Sequence, residues 1–225
     1  MGVGYNPKIV TDGLVLCLDA ANKKSYPGSG TTWTDLSGKN NNGILTDGPT
    51  FNTTNKGSFT FDGIDDFVQC ETSINVTSAS FIAWIKRNGN QADYSGIVIS
   101  VYTAVAAGIN FREANDLGYH WGTTSEPYLF VSGLSIPDLE WCMCAATISP
   151  SEANLYVGTS SGIDSSTHTF SHNSTALEDI QIGQYDYFGE RFYKGNIAVT
   201  QVYNRALSTA EIQQNFNALR GRFGI

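Results

Sequence analysis

The amino-acid sequence predicts an all-β protein, with two antiparallel sheets packed as a sandwich and one short C-terminal helix. Short runs of β-branched and aromatic residues recur along the chain between glycine and asparagine turns, and helical periodicity is almost absent between them. This pattern favours a sandwich over alternating strands and helices. The 225 residues include 23 glycines, with 41% hydrophobic and only 15% charged residues, which is typical of a turn-rich globular chain. Because sandwiches of this length commonly form one unit, we expect a single domain over residues 1–225, with an N-terminal arm at 1–11.

The predicted strands follow the chain from turn to turn. The runs 58–61 and 67–70 flank an Asp62-Gly63 turn, so we expect them to pair as a hairpin. The segments 81–85 and 197–202 are apolar on both faces, which predicts central strands buried under the opposing sheet or under loops. Further strands are predicted at residues 14–18, 96–102, 108–112, 118–121, 141–148, 154–158, 180–183 and 196–203.

One helix is predicted at residues 208–220. Ser208 and Glu211 form the pattern of a capping box, in which the side chain of each residue accepts a hydrogen bond from the backbone N–H of the other. Gly221 is expected to end the helix. The residues that follow the cap with helical spacing, and so form one apolar stripe, are Ile212, Phe216 and Leu219. The helix is therefore expected to lie against the sandwich.

Two kinds of side chain are expected in the core. Trp33 and Trp84 are large enough to fill the space between the sheets. The four cysteines lack the spacing of a zinc site, so we expect free, buried thiols, with Cys142 and Cys144 on the same face of one strand. These cysteines are Cys17, Cys70, Cys142 and Cys144.

The charge and hydropathy of the chain exclude several classes of partner. The formal net charge is −8, and there is no basic patch of the kind that nucleic-acid binding requires. There is no apolar run of about 18 residues, so membrane insertion is not expected. The first residues lack the basic and apolar regions of a secretory signal, which predicts synthesis in the cytoplasm without a signal peptide.

An ordered series of short motifs resembles a known family. It resembles the laminin-G-like, concanavalin-A-like lectin jelly-roll domains, especially those of structural proteins in tailed phages, including marine phages. The resemblance runs from about residue 12 to the C-terminus and implies a two-sheet jelly roll that binds or is displayed, often as an oligomer. The motifs are GLVLCLDA at 13–20, SYPGSG at 25–30, WTDLSG at 33–38, NG at 42–43, GPTF at 48–51, FDGIDDFV at 61–68, FIAWI at 81–85, GNIAV at 195–199 and YNRALS at 203–208.

No catalytic residue is expected. Retaining glycosidases need two carboxylates about 5–5.5 Å apart on one side of a groove, but the adjacent pairs Asp65-Asp66 and Glu178-Asp179 place their side chains on opposite faces of a strand. No Gly-x-Ser-x-Gly elbow accompanies the histidines. His168 and His172 lie in a Ser/Thr-rich stretch and are expected to be solvated loop residues.

Calcium is the expected cofactor, if the chain binds one. Calcium takes six to eight oxygen ligands that loops present, and relatives in the resembling family often carry it at one rim of the sandwich. The alternative is that these residues cap turns through their own backbone. The candidate ligands are Asp35, Asp62, Asp65 and Asp66.

The segment 184–193 is unusually aromatic for a loop and is the first candidate for contact with a sugar. Aromatic faces and nearby polar groups are what a sugar site needs. The alternative is that these rings belong to the core or to a subunit interface, where such residues are also enriched. The candidate ligand-binding residues are Tyr185, Tyr187, Phe188 and Arg191, with Trp121 from a second aromatic run.

Three hypotheses for function follow. The first is a non-enzymatic structural or host-recognition protein of a virion, whose partners are a cell-surface glycan or other virion proteins and which forms a homo-oligomer. The second is a cellular carbohydrate-binding module or adhesin fragment. The third is a glycoside hydrolase.

Overall fold

A computed structural model describes residues 7–54, 57–103, 105–186 and 191–225 of the chain, and within them two antiparallel sheets confirm the predicted sandwich. A long helix follows the last strand, and a short helix and a 3-10 turn lie in the connections. The strands are β1 (Leu14–Asp19), β2 (Thr32–Trp33), β3 (Gly43–Thr46), β4 (Thr50–Asn52), β5 (Ser58–Asp62), β6 (Phe67–Val76), β7 (Ala79–Arg87), β8 (Gly96–Tyr102), β9 (Val105–Arg112), β10 (Asp116–Gly122), β11 (Cys142–Ile148), β12 (Glu152–Thr159), β13 (Gly162–Thr169), β14 (Thr175–Ile182) and β15 (Lys194–Tyr203). The helices are α1 (Glu126–Leu129) and α2 (Thr209–Phe223), and the 3-10 turn spans Glu113–Asn115.

The two sheets differ in what covers their outer faces. The eight-stranded sheet has the order β13-β12-β11-β7-β15-β5-β4, with β1 paired to β15 beside β5. The seven-stranded sheet has the order β10-β9-β8-β14-β6-β3-β2. Helix α2 packs on the outer face of the eight-stranded sheet, so the outer face of the seven-stranded sheet is on the opposite side of the molecule.

The predicted hairpin around Asp62-Gly63 is wrong. Strand β5 pairs with β4 and β15 in one sheet, whereas β6 pairs with β3 and β14 in the other. The turn therefore carries the chain from one sheet to the other. Phe61 and Val68 both point into the interior, from opposite sheets. The alternation of apolar residues is the same for a hairpin and for this crossing, so the pattern alone does not distinguish them.

Trp33 fills the interior between the sheets as predicted, but Trp84 does not. Trp84 lies on the outer face of β7, where its ring stacks on Phe216 at 5.7 Å and on Phe223 at 4.5 Å between ring centroids. The reason is the double-sided character of β7, since Phe81 faces the other sheet and Ile82 faces the helix. The prediction of a central strand buried on both faces is confirmed.

Helix α2 has the predicted capping box and a different end. Glu211 N–H donates to Ser208 Oγ, and Ser208 N–H donates to Glu211 Oε2. The helix continues through Gly221 to Phe223 and is capped by Gly224, which has a φ of 76° and so takes the left-handed conformation that glycine allows. Val10 lies against this helix, because its N–H donates to Asn215 Oδ1 at 2.7 Å.

The cysteines are free and buried, as expected. The Sγ atoms of Cys142 and Cys144 lie 3.9 Å apart on the inner face of β11. Burial raises the pKa of Cys17 to about 12 and that of Cys70 still further, so both remain thiols. Across the described ranges, no helix combines the length and the apolar character needed to cross a membrane.

Candidate functional site

A groove crosses the outer face of the seven-stranded sheet, on the side opposite helix α2. Its larger part has a volume of about 510 Å³. A hollow of about 290 Å³ continues it towards β3 and shares Gln69 and Glu71 with it. The larger part is lined by Gln69, Glu71, Val101, Thr103, Asp179, Gln181 and Asp186, and the hollow adds Asn40, Asn42 and Ile44. We call this surface the sheet-face groove.

Strand alternation places the polar side chains of the groove. Along β6, Val68 and Cys70 point into the core, so Gln69 and Glu71 point outward. In β14, Gln181 lies between two core isoleucines in the same way. The alternation in these strands therefore gives the sheet an apolar inner face and a polar outer face.

Asp179 reaches the groove through an irregularity in β14. The pairing of β14 with β6 shifts register between Glu178 and Ile180, and Asp179 between them has a φ of 50°. A non-glycine residue in the left-handed region is strained, and such strain often accompanies function. The bulge brings its carboxylate to the same groove as Glu71.

The groove contains one fixed amide surrounded by more accessible groups. Gln181 is buried, its Nε2 donates to Gln69 Oε1 at 3.4 Å, and its Oε1 accepts from the backbone N–H of Asp186 at 3.2 Å. Gln69 is half-buried, and Glu71 and Asp186 are exposed. Amides and carboxylates in this arrangement can donate to and accept from the hydroxyl groups of a bound sugar.

The sequence did not identify the groove residues as a site. They lie on separate strands and loops, and the long intervals between them hide their proximity. The only signal was the alternation of polar with apolar residues in Phe67–Val76 and Thr175–Ile182.

The predicted aromatic residues do not form one exposed platform, since Tyr185 lies beside the groove residue Asp186 and Trp121 lies on β10 away from the groove. Tyr185 is 1% exposed and Trp121 is 2% exposed, which corresponds to the alternative that these rings belong to the core. Trp121 points inward because β10 alternates, and its Nε1–H donates to the carbonyl oxygen of Asn173 at 2.7 Å. The guanidinium of Arg191 lies 5.1 Å from the centre of the Tyr185 ring. Tyr187 and Phe188 lie outside the described residues.

Tyr185 belongs to an aromatic enclosure around His120. The imidazole ring lies 4.2 Å from the ring of Tyr128 and 4.7 Å from that of Tyr185 between centroids. Asn110 Nδ2 donates to His120 Nε2 at 2.7 Å. Burial, together with the positive charges of Arg191 and Arg112, lowers the pKa of His120 to about 3. His120 is therefore a neutral core residue at ordinary pH.

The expectation that His168 and His172 are solvated loop residues is wrong, because His168 lies on β13 and His172, although in the loop after it, is buried. The Tyr119 hydroxyl lies 2.7 Å from His168 Nδ1 and 3.0 Å from His172 Nε2, and His172 Nδ1–H donates to the carbonyl oxygen of Ser149 at 2.8 Å. His168 lies on β13 and Tyr119 on β10, which are the outer strands of the two sheets. The three rings therefore join the sheets along one edge, and burial lowers the pKa of both histidines.

Three of the four predicted metal ligands lie together. Carboxylate oxygens of Asp62, Asp65 and Asp66 lie within 4.8 Å of one another at the turn between β5 and β6. Asp62 and Asp65 are exposed, whereas Asp66 is buried and accepts a hydrogen bond from Asp62 N–H at 2.9 Å. Burial, and then the neighbouring carboxylates, raise the pKa of Asp66 to about 6. Calcium prefers oxygen donors of this kind, so these three residues fit the ion chemically.

Asp35 is separate from that group and serves the backbone. Its Oδ1 accepts from the N–H groups of Cys17 and Ser37, and its Oδ2 accepts from the Ser37 hydroxyl and from Asn41 N–H. Both oxygens are therefore used in holding the turn, which corresponds to the alternative of turn capping. Among the described residues, Asp35 therefore does not lie with the other three candidate ligands.

Comparisons with known proteins agree with this architecture. The family model described as the concanavalin A-like lectin/glucanases superfamily matches residues 61–213. Among curated proteins, none matches the sequence.

Several solved structures share the fold at low identity. Domain 4 of an extracellular GH43 arabinanase from Geobacillus stearothermophilus, in complex with arabinotriose, has a TM-score of 0.65 and 14% identity, covering 91% of this chain and 98% of that domain. Trypanosoma rangeli sialidase in complex with the inhibitor DANA has a TM-score of 0.67 and 14% identity, covering 99% of this chain and 36% of the enzyme. The receptor binding domain of the botulinum neurotoxin C/D mosaic serotype has a TM-score of 0.64 and 16% identity, covering 91% of this chain and 51% of that one. This chain thus spans about a third of the sialidase.

Proposed function

Since the chain belongs to the concanavalin A-like lectin/glucanase superfamily, we propose that it is a non-enzymatic glycan-binding domain, carried on a virion as a structural or host-recognition protein. Its ligand is a cell-surface glycan that lies in the sheet-face groove. The observation that carries the proposal is the row of amide and carboxylate side chains on β6, on β14 and on the loops before β3 and after β14, on a face that helix α2 leaves open.

The shape of the groove supports an extended ligand. The groove runs across the strands, and neighbouring strands lie about 4.8 Å apart, so the span from β3 to β8 is about 14 Å. Gln69, Asn42 and Gln181 supply neutral donors and acceptors along it, and Ile44 adds an exposed apolar surface. A chain of several sugar units fits this succession better than a single compact ligand does.

Binding is tested on a glycan array and then by calorimetry with the best glycan. Gln69→Ala removes an amide shared by both parts of the groove, and we expect at least a tenfold weaker affinity, or about 1.4 kcal/mol. Ser73→Ala is the matched control, because Ser73 lies on the same face of β6 but does not line the groove. Equal affinities for the two variants, or an array without any bound glycan, contradict the proposal.

A cellular carbohydrate-binding module is the second candidate. It is supported by the arabinanase domain, a piece of a larger enzyme that this chain matches over nearly its whole length. The neighbouring genes distinguish the two contexts. Virion genes support the first proposal, and a polysaccharide-utilisation cluster supports the second.

The third candidate is a glycoside hydrolase, since Glu71, Asp179 and Asp186 line one groove. We propose that they bind and do not catalyse. Glu71 and Asp186 are exposed and Asp179 is only half-buried, so none is withdrawn from water in the way that a general acid requires. Release of reducing sugar by the wild type, lost in Glu71→Gln, would instead establish catalysis.

A further inference from the structure

A second cleft lies at one rim of the sandwich, away from the sheet-face groove. It has a volume of about 350 Å³ and lies between the end of β10 and the segment that joins β13 to β14. Asn75, near the C-terminal end of β6, lines it, whereas Glu71 of the same strand lines the groove. The two positions are four residues apart, or about 13 Å along a strand. We call this hollow the rim cleft.

The lining of the rim cleft mixes polar and apolar side chains and carries no formal charge. No Asp, Glu, Lys or Arg is among its described lining residues, although the whole chain has a net charge of −8. His172 lies at the cleft, and burial lowers its pKa, so it is neutral. A charged ligand would find no counter-charge here, which favours an uncharged one. The side chains that define the cleft are Asn75, Trp121, Thr124, Phe170, His172 and Thr175.

Two hydroxyl groups of the cleft are buried without a partner. Thr124 Oγ1 and Thr175 Oγ1 make no hydrogen bond, and Thr175 is only 7% exposed. Most buried polar groups in proteins are hydrogen-bonded, so such exceptions need an explanation. A hydroxyl-bearing ligand that enters the cleft after a small side-chain rotation would satisfy both groups.

The aromatic residues of the cleft are held in place. The indole N–H of Trp121 is bonded to the carbonyl oxygen of Asn173, and His172 is bonded to Ser149 and Tyr119. The ring of Phe170 meets that of His172 edge to face, 5.4 Å between centroids. A site built in advance loses less conformational entropy on binding.

We propose that the rim cleft is a second, independent site that binds one uncharged, hydroxyl-rich sugar residue. The inference takes its ligand class from the proposed glycan-binding function but does not depend on the sheet-face groove. A domain with both sites contacts a branched glycan at two points.

The test is an NMR titration of the full chain with glucose, galactose, mannose and N-acetylglucosamine, and with glucuronic acid as the charged comparison. We expect a neutral sugar to shift the indole N–H signal of Trp121 and glucuronic acid to leave it unchanged. Thr175→Val removes the unpartnered hydroxyl at constant shape, and we expect at least tenfold weaker binding. Thr200→Val is the matched control, because Thr200 Oγ1 is also buried and unpartnered but lies on β15.

The outcomes separate the two sites. Gln69→Ala should leave the titration of the rim cleft unchanged, even if no glycan binds to the groove. If Thr175→Val does not fold, Asn75→Ala replaces it, since Asn75 is exposed. The inference is overturned if no neutral sugar shifts the Trp121 signal, or if Thr175→Val and Thr200→Val bind equally well.

Discussion

His120 illustrates how a single buried residue links stability to pH. Its folded-state pKa of about 3 is below the ordinary value of 6.5, so below pH 6.5 the unfolded state binds a proton that the folded state rejects. Its contribution to stability is therefore complete above pH 6.5 and is lost as the pH falls towards 3. One such proton corresponds to a slope of at most about 1.4 kcal/mol per pH unit.

We expect the melting temperature of the wild type to fall between pH 6.5 and pH 4, and the fall to be smaller in His120→Gln. Differential scanning calorimetry at half-unit steps measures both curves. The melting curve of His172→Gln is measured as a control for replacing another buried histidine, because the Gln amide can still donate to the Ser149 carbonyl. Parallel curves for the wild type and His120→Gln would show that His120 does not titrate in this range.

The pKa of Asp66 is shifted in the opposite direction to that of His120, and we expect calcium binding to depend on the protonation of this carboxylate. A carboxylate must lose its proton to bind calcium, and the pKa of Asp66 is raised to about 6. We therefore expect calcium to raise the melting temperature at pH 7.5 and to have little effect at pH 5. At a calcium concentration of about a hundred times Kd, binding would raise the free energy of unfolding by about 2.7 kcal/mol.

The comparison is between melting curves in calcium and in EGTA, for the wild type and for Asp65→Asn. Asp65 is exposed, so the variant should fold normally while losing the calcium effect. Asp35→Asn would disturb the turn irrespective of calcium, because both its oxygens are occupied. Identical curves with and without calcium would assign the three carboxylates to turn capping alone.

The candidate site shows where sequence reasoning fails at the level of residues. The aromatic composition around Tyr185 and Trp121 left open a sugar site, the core or an interface, and both rings are buried. The burial of a side chain on a strand depends on which distant segments of the chain pack over that strand, and the local sequence does not show this. Gly96 is one example, since the backbone of Gln184 lies directly against its Cα and a side chain there would collide with it.

At the level of elements, helix α2 is the best-predicted part of the chain. Its capping box is local, so four consecutive residues were enough to locate its start. Arg205 adds a contact that spacing did not reveal. Its guanidinium binds both oxygens of Glu211 at 2.6 and 3.0 Å, which, with the hydrogen bond from Ser208 N–H, lowers the pKa of Glu211 to about 2.

We expect Ser208→Ala to lower the free energy of unfolding by about 1 kcal/mol, because a backbone N–H of the first turn loses its acceptor. Gly221→Ala should act in the opposite direction, by about 1 kcal/mol, since Gly221 lies inside the helix and nothing lies within 4 Å of its Cβ position. Urea denaturation measures both. A destabilised Gly221→Ala variant would contradict the position of the helix end at Phe223.

Strand pairing was less predictable than the strands themselves. Most of the runs with alternating residues do form strands, but the partner of a strand depends on long-range packing. The turn at Asp62-Gly63 has the same local sequence requirements whether it closes a hairpin or crosses between sheets. The aromatic contacts of Phe59 with Tyr26 and Trp33 stabilise the crossing, and both partners are distant in sequence.

At the scale of the whole molecule, the fold was predictable because many weak signals agree. Alternation, turn residues, low charge and the terminal cap all indicate a sandwich. The groove was not predictable, because its residues come from four strands and three loops. Only the arrangement of strands in the seven-stranded sheet brings Asn42, Gln69 and Gln181 onto one surface.

The opposite positions of helix α2 and the groove lead to a prediction about attachment. A domain fixed to a surface through a C-terminal tag should capture its glycan at full capacity. A domain fixed through Ser73→Cys on the groove face should capture much less. Maleimide coupling is selective for that position, because the native thiols are buried. Surface plasmon resonance compares the two, and equal capacities would place the ligand elsewhere.

The hydrogen bond between Val10 and Asn215 bears on how many copies of the domain could be arranged side by side on one surface. It holds Val10 beside the terminal helix, and Ile225 packs against the same hydrophobic cluster, so both residues lie on the side opposite the sheet-face groove. If many copies of the domain were anchored to one surface on the side of helix α2, the sheet-face groove of every copy would face outward. Avidity can then add a factor of about 10² to 10⁴ to a weak single contact, so firm adhesion would arise without any tight monovalent interaction.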